Sequence, residues 1–443
     1  MKRLFTSYCR YLIVFIIIML SGINAFATHI FGVDLYYTWV SGNTYTIEMA
    51  VYGDCSSPQA LNTLYNSTPE VEIYNGGVSP VRTVNLNPIN PEGAEVTPVC
   101  ASQANNTQCS NLNSTTPGVR KFTYSLTVTL PSTSANWRFH YDGNMGTGTQ
   151  AGRSSTITNI AGGSIVSLDA TLNNTSASNS SSVYTTIPTP FFCINKPANF
   201  NPGAVDPNGD SLSFALVPGI VPSGAYVTYN PGYSATSPLA VAAGSFSFNS
   251  VSGQLSFIPN ALQRALVVYT VSEYRNGVLV GTSQREMTFV VLSCNNPPPT
   301  GNITNISTTG TGVVTVDNTH LNACGSAGLF TFHINPTDSN TTANITVTSA
   351  GLPAGATFAV TGNGTTAPQG LFSWNTTGVA VGTYIFYLTF KDDACPLSST
   401  QTIAYTVNIL AVPTNTFTLI SALPVQRKQF SMLLRAAQLV LIL

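Results

Sequence analysis

Strict two-residue alternation is the feature that most limits what this chain can become. In the run 122–130, Phe122, Tyr124, Leu126, Val128 and Leu130 alternate with Thr123, Ser125, Thr127 and Thr129. Residues two apart share one face of an extended strand, so this run reads as a half-buried strand whose aromatic and β-branched side chains suit the pleat. The run 402–410 repeats the pattern, with Ile403, Tyr405, Val407 and Ile409 facing inward. The denser runs 383–390 and 287–292 read as central strands. Gly, Pro, Asn and Ser punctuate the intervals. Between the two ends of the chain no window carries a capped apolar stripe of helical period. The expectation is an all-β protein built of tandem β-sandwiches.

Only 7% of the 443 residues are charged, against about 25% in an ordinary soluble domain. The hydrophobic fraction is 43% and the aromatic fraction 10%, enough to build cores and too much for a disordered chain. Sixteen basic against 17 acidic residues cannot coat a nucleic-acid backbone, which excludes that class of partner.

Residues 1–27 have the form of a secretory signal: Lys2, Arg3 and Arg10, then an apolar core at 12–20, then Ala25-Phe26-Ala27. The core is too short to span a bilayer, and the mature chain holds no transmembrane helix. Removing 1–27 leaves 13 basic and 17 acidic residues. It also removes Cys9, leaving Cys55, Cys100, Cys109, Cys193, Cys294, Cys324 and Cys395. In an oxidising compartment these read as disulfides, and without a Cys-x-x-Cys pair zinc or thioredoxin chemistry is not indicated. Spacing suggests Cys100–Cys109 as a local staple, with Cys193–Cys294 and Cys324–Cys395 each closing a domain. Cys55 is then left free.

Composition places an N-terminal β domain at 28–190, a sandwich at 191–295, a proline-rich linker at 296–300 and a second sandwich at 301–412. The polar stretch 173–182 reads as an exposed loop. Gly253-Gln-Leu-Ser-Phe-Ile-Pro259 and Gly370-Leu-Phe-Ser-Trp-Asn-Thr376 suggest that the two sandwiches are distant copies, with Phe257 and Trp374 in their cores. The remainder, 413–443, is atypical: it holds Arg427, Lys428 and Arg435 and ends in an apolar run, as a truncated or frame-shifted end would, or else a membrane-touching helix.

Catalytic motifs are scarce. No His-Glu-x-x-His, no Gly-x-Ser-x-Gly elbow and no phosphate loop occurs. A metal pattern is more visible. Asp206, Asn208 and Asp210 alternate around Gly209. Three such oxygens supply half of the six to eight that Ca²⁺ takes, and Glu273 could add a fourth. A weaker set, Asp338, Asp392 and Asp393, with Asn340, lies in the last sandwich. The other reading of these sites is a plain Asx turn. Arg275, Arg285 and Glu286 read as exposed strand ends or a salt bridge.

Residues 28–299 resemble the N-terminal region of large secreted surface proteins of Bacteroidetes, of the gliding-motility-associated and PKD-domain-containing type. The resemblance is carried by Thr28-His-Ile-Phe-Gly32, Tyr52-Gly-Asp-Cys55, the Cys100 and Cys109 pair, Pro117-Gly-Val119 and Ile157-Thr-Asn-Ile160. Gly203-Ala-Val-Asp-Pro-Asn-Gly-Asp-Ser-Leu212, Val271-Ser-Glu-Tyr-Arg-Asn-Gly277 and Cys294-Asn-Asn-Pro297 complete the set. The third unit is similar to cadherin-like or immunoglobulin-like modules through Gly351-Leu-Pro-Ala-Gly-Ala356 and Gly370-Leu-Phe-Ser-Trp374. The family pattern has further cysteines before an Arg-Asn pair, whereas here Arg153 precedes Ser154. It also continues to a type IX sorting domain, which is not seen here. The resemblance implies a non-catalytic extracellular or cell-surface protein for adhesion or gliding-motility-associated interaction, with a glycan or protein partner. The alternative is a secreted protein that binds or degrades polysaccharide.

Overall fold

The computed structural model describes residues 27–412, apart from positions 147, 189, 190, 311 and 326. The leader assigned to 1–27 lies outside this range save for its last residue, and the tail 413–443 lies wholly outside it.

The described chain is all-β, with one short helix, Pro58–Asn62, and one 3₁₀ turn, Ala101–Gln103. Alternation predicts strand faces well. In Val119–Thr129, Phe122, Tyr124 and Val128 are buried, and in Thr400–Leu410 the four residues read as inward are all core.

The largest sheet is organised by one strand, Val278–Leu292. One edge of it pairs along its whole length with Gln263–Arg275. Its other edge is shared in succession by Leu168–Leu172, Ala27–Ser41 and Phe191–Cys193. Beyond Ala27–Ser41 the sheet continues through Thr44–Asp54 to Val119–Thr129. The boundary placed at 190 therefore separates two cores but not two sheets. One core packs Val33, Leu35, Ile47, Phe122, Trp137 and Phe139, the other Phe200, Phe214, Phe257, Tyr269 and Phe289. Hydrogen bonding runs unbroken from the first to the second, so residues 28–295 form one body.

The C-terminal unit is a separate two-sheet sandwich. A four-stranded sheet (Ile303–Thr308, Leu329–Ile334, Gln369–Asn375, Thr357–Thr361) packs on a five-stranded one. The five-stranded sheet contains Gly382–Asp392 and Thr400–Leu410. Trp374 is 1% exposed, edge-on to Tyr384, with its indole N–H on the Ala354 carbonyl. It is a core residue, and truncating a buried Trp typically costs about 3–5 kcal/mol.

The two sandwich copies correspond in topology. Leu255–Phe257 and Gln369–Asn375 each precede a long antiparallel hairpin that ends the unit. In each unit an early strand runs parallel to the last one: Phe191–Cys193 beside Val278–Leu292, and His320–Cys324 beside Thr400–Leu410. The linker is held on the last sandwich, because Asn296 donates to Asp392 and Ser399 and the Pro299 carbonyl accepts from Gln401.

Candidate functional site

Most side-chain oxygens of the loop 206–210 are engaged by the protein, while Asp206 Oδ2 is buried without a hydrogen-bond partner. Asp206 Oδ1 accepts the backbone N–H groups of Asn208 and Asp210 at 2.8 and 3.0 Å, while Gly209 takes φ +77° at the bend. Asn208 Oδ1 accepts the Ser180 N–H at 2.7 Å. Arg275 forks onto Asp210, its Nε and Nη2 at 2.7 and 2.6 Å from the two carboxylate oxygens. The structure brings Glu273 into the same neighbourhood, with the Arg275 guanidinium bonded to Asp210 and to the segment that Glu273 holds. Glu273 accepts from Ser182 N–H and Asn179 Nδ2 at 2.6 and 2.7 Å. Arg275 also donates to the Ser178 carbonyl and Asn179 Oδ1.

The reading of 173–182 as an exposed loop holds at 175–177, and these contacts correct it at 179–182, which is buried. Asn179, Ser181 and Ser182 are at most 1% exposed. Ser181 bonds both backbone polar groups of Tyr37. A polar sequence is buried at 179–182 because Asn179, Ser181 and Ser182 meet fixed partners in Tyr37, Glu273 and Arg275, which is the condition for burying such groups.

Burial pushes the Glu273 carboxyl up to about 7, against hydrogen bonds from Ser182 and Asn179 that lower it. A raised carboxyl keeps its proton in the folded state where the unfolded chain has lost it. Its contribution is whole below the ordinary Glu range and falls as pH rises through about 7, by up to about 3 kcal/mol. The expected result is a lower melting temperature at pH 8 than at pH 5, with Glu273→Gln flattening that difference. An equally steep profile in the variant would assign the titration to another group.

The weaker acidic set is engaged in local hydrogen bonds, with Asp392 at the end of the strand Gly382–Asp392. Asp338 accepts the Asn340 N–H, and Asp393 accepts the N–H and Nδ2 of Asn344. Asp392 accepts the Ala394 and Ser399 N–H groups and Asn296 Nδ2. Among the described residues no group of three or more His, Cys, Asp or Glu is placed to hold a metal ion.

Six charged side chains of the body are buried: Asp34, Asp54, Arg153, Glu273, Arg285 and Glu286. Arg153, 1% exposed, spends all five N–H donors: two on the Glu286 carboxylate at 2.7 Å each, and three on Ser164 Oγ and the Ile165 and Ile220 carbonyls. Arg285 Nε lies 2.9 Å from Asp34 Oδ1, and its guanidinium sits 4.5 Å from the Tyr184 ring centre. Arg285 and Glu286 are thus not strand ends but the buried centre of the organising strand. Arg153 carried no sequence signal beyond its rarity.

The disulfides are Cys55–Cys109, Cys100–Cys395 and Cys193–Cys294. Cys193–Cys294 closes the second unit as its spacing suggests. The pairings Cys100–Cys109 and Cys324–Cys395, and a free Cys55, are corrected; Cys324 is the free thiol among the described residues. The strand register explains why. Cys193 lies opposite Leu292, two residues before Cys294, and Cys324 lies opposite Leu410, two residues before Val412. Cys324 is the counterpart of Cys193, and valine stands where its partner would be.

Cys395 is bonded instead across the seam between body and sandwich. Beside that bridge the Cys100 N–H donates to the Pro396 carbonyl and the Ser398 N–H to the Pro98 carbonyl. Further along, Gln401 Oε1 accepts from Asn199, and Gln254 Oε1 accepts the Ala404 N–H. The seam is tied covalently at one end and by side-chain amides along its length.

No family model and no curated protein matches the chain. Solved structures with some likeness include Drosophila N-cadherin EC1-3, at 13% identity and TM-score 0.18, covering 52% of this chain and 66% of that one. The N-terminal eight immunoglobulin domains of Down syndrome cell adhesion molecule are 11% identical, with TM-score 0.17, covering 86% and 37%. The endo-fucoidan hydrolase MfFcnA4 of glycoside hydrolase family 107 is 16% identical, with TM-score 0.17, covering 66% and 36%. The chain spans between about a third and two thirds of the length of these structures. At such scores function has to be argued from this chain's own geometry.

Proposed function

We propose that this is an exported, non-catalytic scaffold of adhesion type, which presents binding surfaces from a body and a sandwich held at a fixed angle. The observation that carries the reading is the seam: Cys100–Cys395 joins the two units across 295 residues. Disulfides of this kind persist outside the reducing cytosol. The carboxylates supply a second line of support. Asp34, Asp210, Glu273 and Glu286 are engaged by arginines or hydrogen bonds within the body. None of these is an open acid waiting for a substrate, and a glycosidase would need two.

Beads coated with the full mature chain are expected to adhere to cell or polysaccharide surfaces, and a panel of polysaccharides is expected to release no reducing ends. Hydrolysis abolished by a single Asp or Glu substitution would overturn the non-catalytic reading, and beads that settle on no surface would overturn the adhesive one.

A further inference from the structure

The seam encloses a cleft of about 410 Å³ between body and sandwich, a size and position usual for ligand sites. Its sandwich wall is the outward face of the final hairpin. Thr389 lies opposite Thr402 and Lys391 opposite Thr400, so alternation places all four on one face while Leu388 and Phe390 point into the core. The body wall brings Glu95, with the partly exposed Phe191 as its apolar part.

Three polar groups of this lining have capacity left over. Glu95 Oε1 accepts from Thr97 and Thr107, while its Oε2 has no partner among the described residues. Lys391 is exposed and forms no ion pair among the described residues. Ser398 is 4% exposed, and its Oγ has no hydrogen-bond partner. An unbonded buried hydroxyl costs about 1–3 kcal/mol, which a ligand supplying the bond would relieve.

We propose that this cleft binds one neutral pyranose unit of an extracellular glycan. The proposal rests on the seam being a fixed interaction surface, as read above. A sugar ring carries hydroxyls that donate and accept at once, together with an apolar C–H face. Ser and Thr hydroxyls match the first property in both roles, a carboxylate accepts, an ammonium donates, and the Phe191 ring meets the apolar face. One cation against one carboxylate leaves the cleft close to neutral, which disfavours a phosphate or sulfate group that needs clustered or bidentate donors. The walls are set before any ligand arrives. Val99 and Leu397 form a β-bridge, and the adjacent Cys100–Cys395 bond closes that end. A preorganised site loses less entropy on binding.

Saturation-transfer NMR and calorimetry on the full mature chain would use millimolar methyl glycosides of glucose, galactose, mannose and xylose, with N-acetylglucosamine. At least one is expected to bind. Its affinity should fall about ten-fold in Ser398→Ala and in Thr400→Val. Thr304→Val, an exposed hydroxyl change in the other sheet of the sandwich, should leave it unchanged. Absence of binding by the folded protein overturns the proposal, as does binding that survives both cleft variants. Tighter binding of glucuronate or a sulfated sugar, lost in Lys391→Met, would also overturn the neutral-sugar assignment. Sugar binding without bead adhesion would defeat the adhesive reading alone, whereas adhesion without sugar binding would defeat this one alone.

Discussion

Arg153→Ala should lower the melting temperature of the body by roughly 10 °C. The substitution leaves the Glu286 carboxylate, 3% exposed, without its two charge-assisted bonds. Removing one partner of a buried pair costs about 3–5 kcal/mol, and each kcal/mol moves a large domain by about 2–4 °C. Three further acceptors lose their donor as well. Arg153→Lys should recover only a part, because an ammonium offers three donors from a point where the guanidinium offered five in a fixed fork. Replacing both partners, Arg153→Met with Glu286→Leu, should restore more than Arg153→Lys does, since no charge is then stranded. Calorimetric scans of the four proteins make the comparison. A single variant melting within two or so degrees of the parent would show that water reaches Glu286 and that the pair contributes little.

Cys100→Ser with Cys395→Ser should uncouple the sandwich from the body. The bond closes a very long loop, and chain-entropy reasoning assigns such a cross-link about 5–6 kcal/mol. With it removed, the seam depends on the amide bonds from Gln254 and Gln401 and on the Ser398 backbone contact. Two separated calorimetric transitions are expected in place of coupled melting, with each unit keeping its own core. Cys324→Ser serves as the control and should change little, because that thiol is unbonded. An unaltered thermogram in the double variant would mean that the amide bonds alone fix the seam. Non-reduced peptide mapping that returned Cys100 bonded to Cys109 would remove the premise.

What the sequence determined by itself was whatever local pattern encodes. Alternation at 122–130 and 402–410 named the core-facing residues Phe122, Tyr124, Val128, Ile403, Tyr405, Val407 and Ile409, because side-chain direction along a strand follows from the backbone alone. The burial of Thr402 and Ala404 on the opposite face came from the neighbouring unit's packing. The paired Gly253 and Gly370 segments marked two copies of one unit, and the Cys193–Cys294 spacing marked the ends of one of them. The charges were legible only as an anomaly. Arg285 and Glu286 sit in a strand that turns densely apolar at Met287, where a solvent-exposed strand end is hard to accommodate, and a buried pair is the resolution that energetics permits.

Tertiary structure alone decided who meets whom. Arg153 and Glu286 are 133 residues apart, and Cys100 and Cys395 are 295 apart. Nothing in either neighbourhood specifies the partner. The same limit applied to 178–182, whose Asn and Ser residues are indistinguishable from a loop until Glu273 and Arg275 come up against them. The reason is physical: a strand's face is a property of its own backbone geometry, whereas a hydrogen bond, ion pair or disulfide between distant segments exists only once the sheets have brought both ends to within a few ångströms.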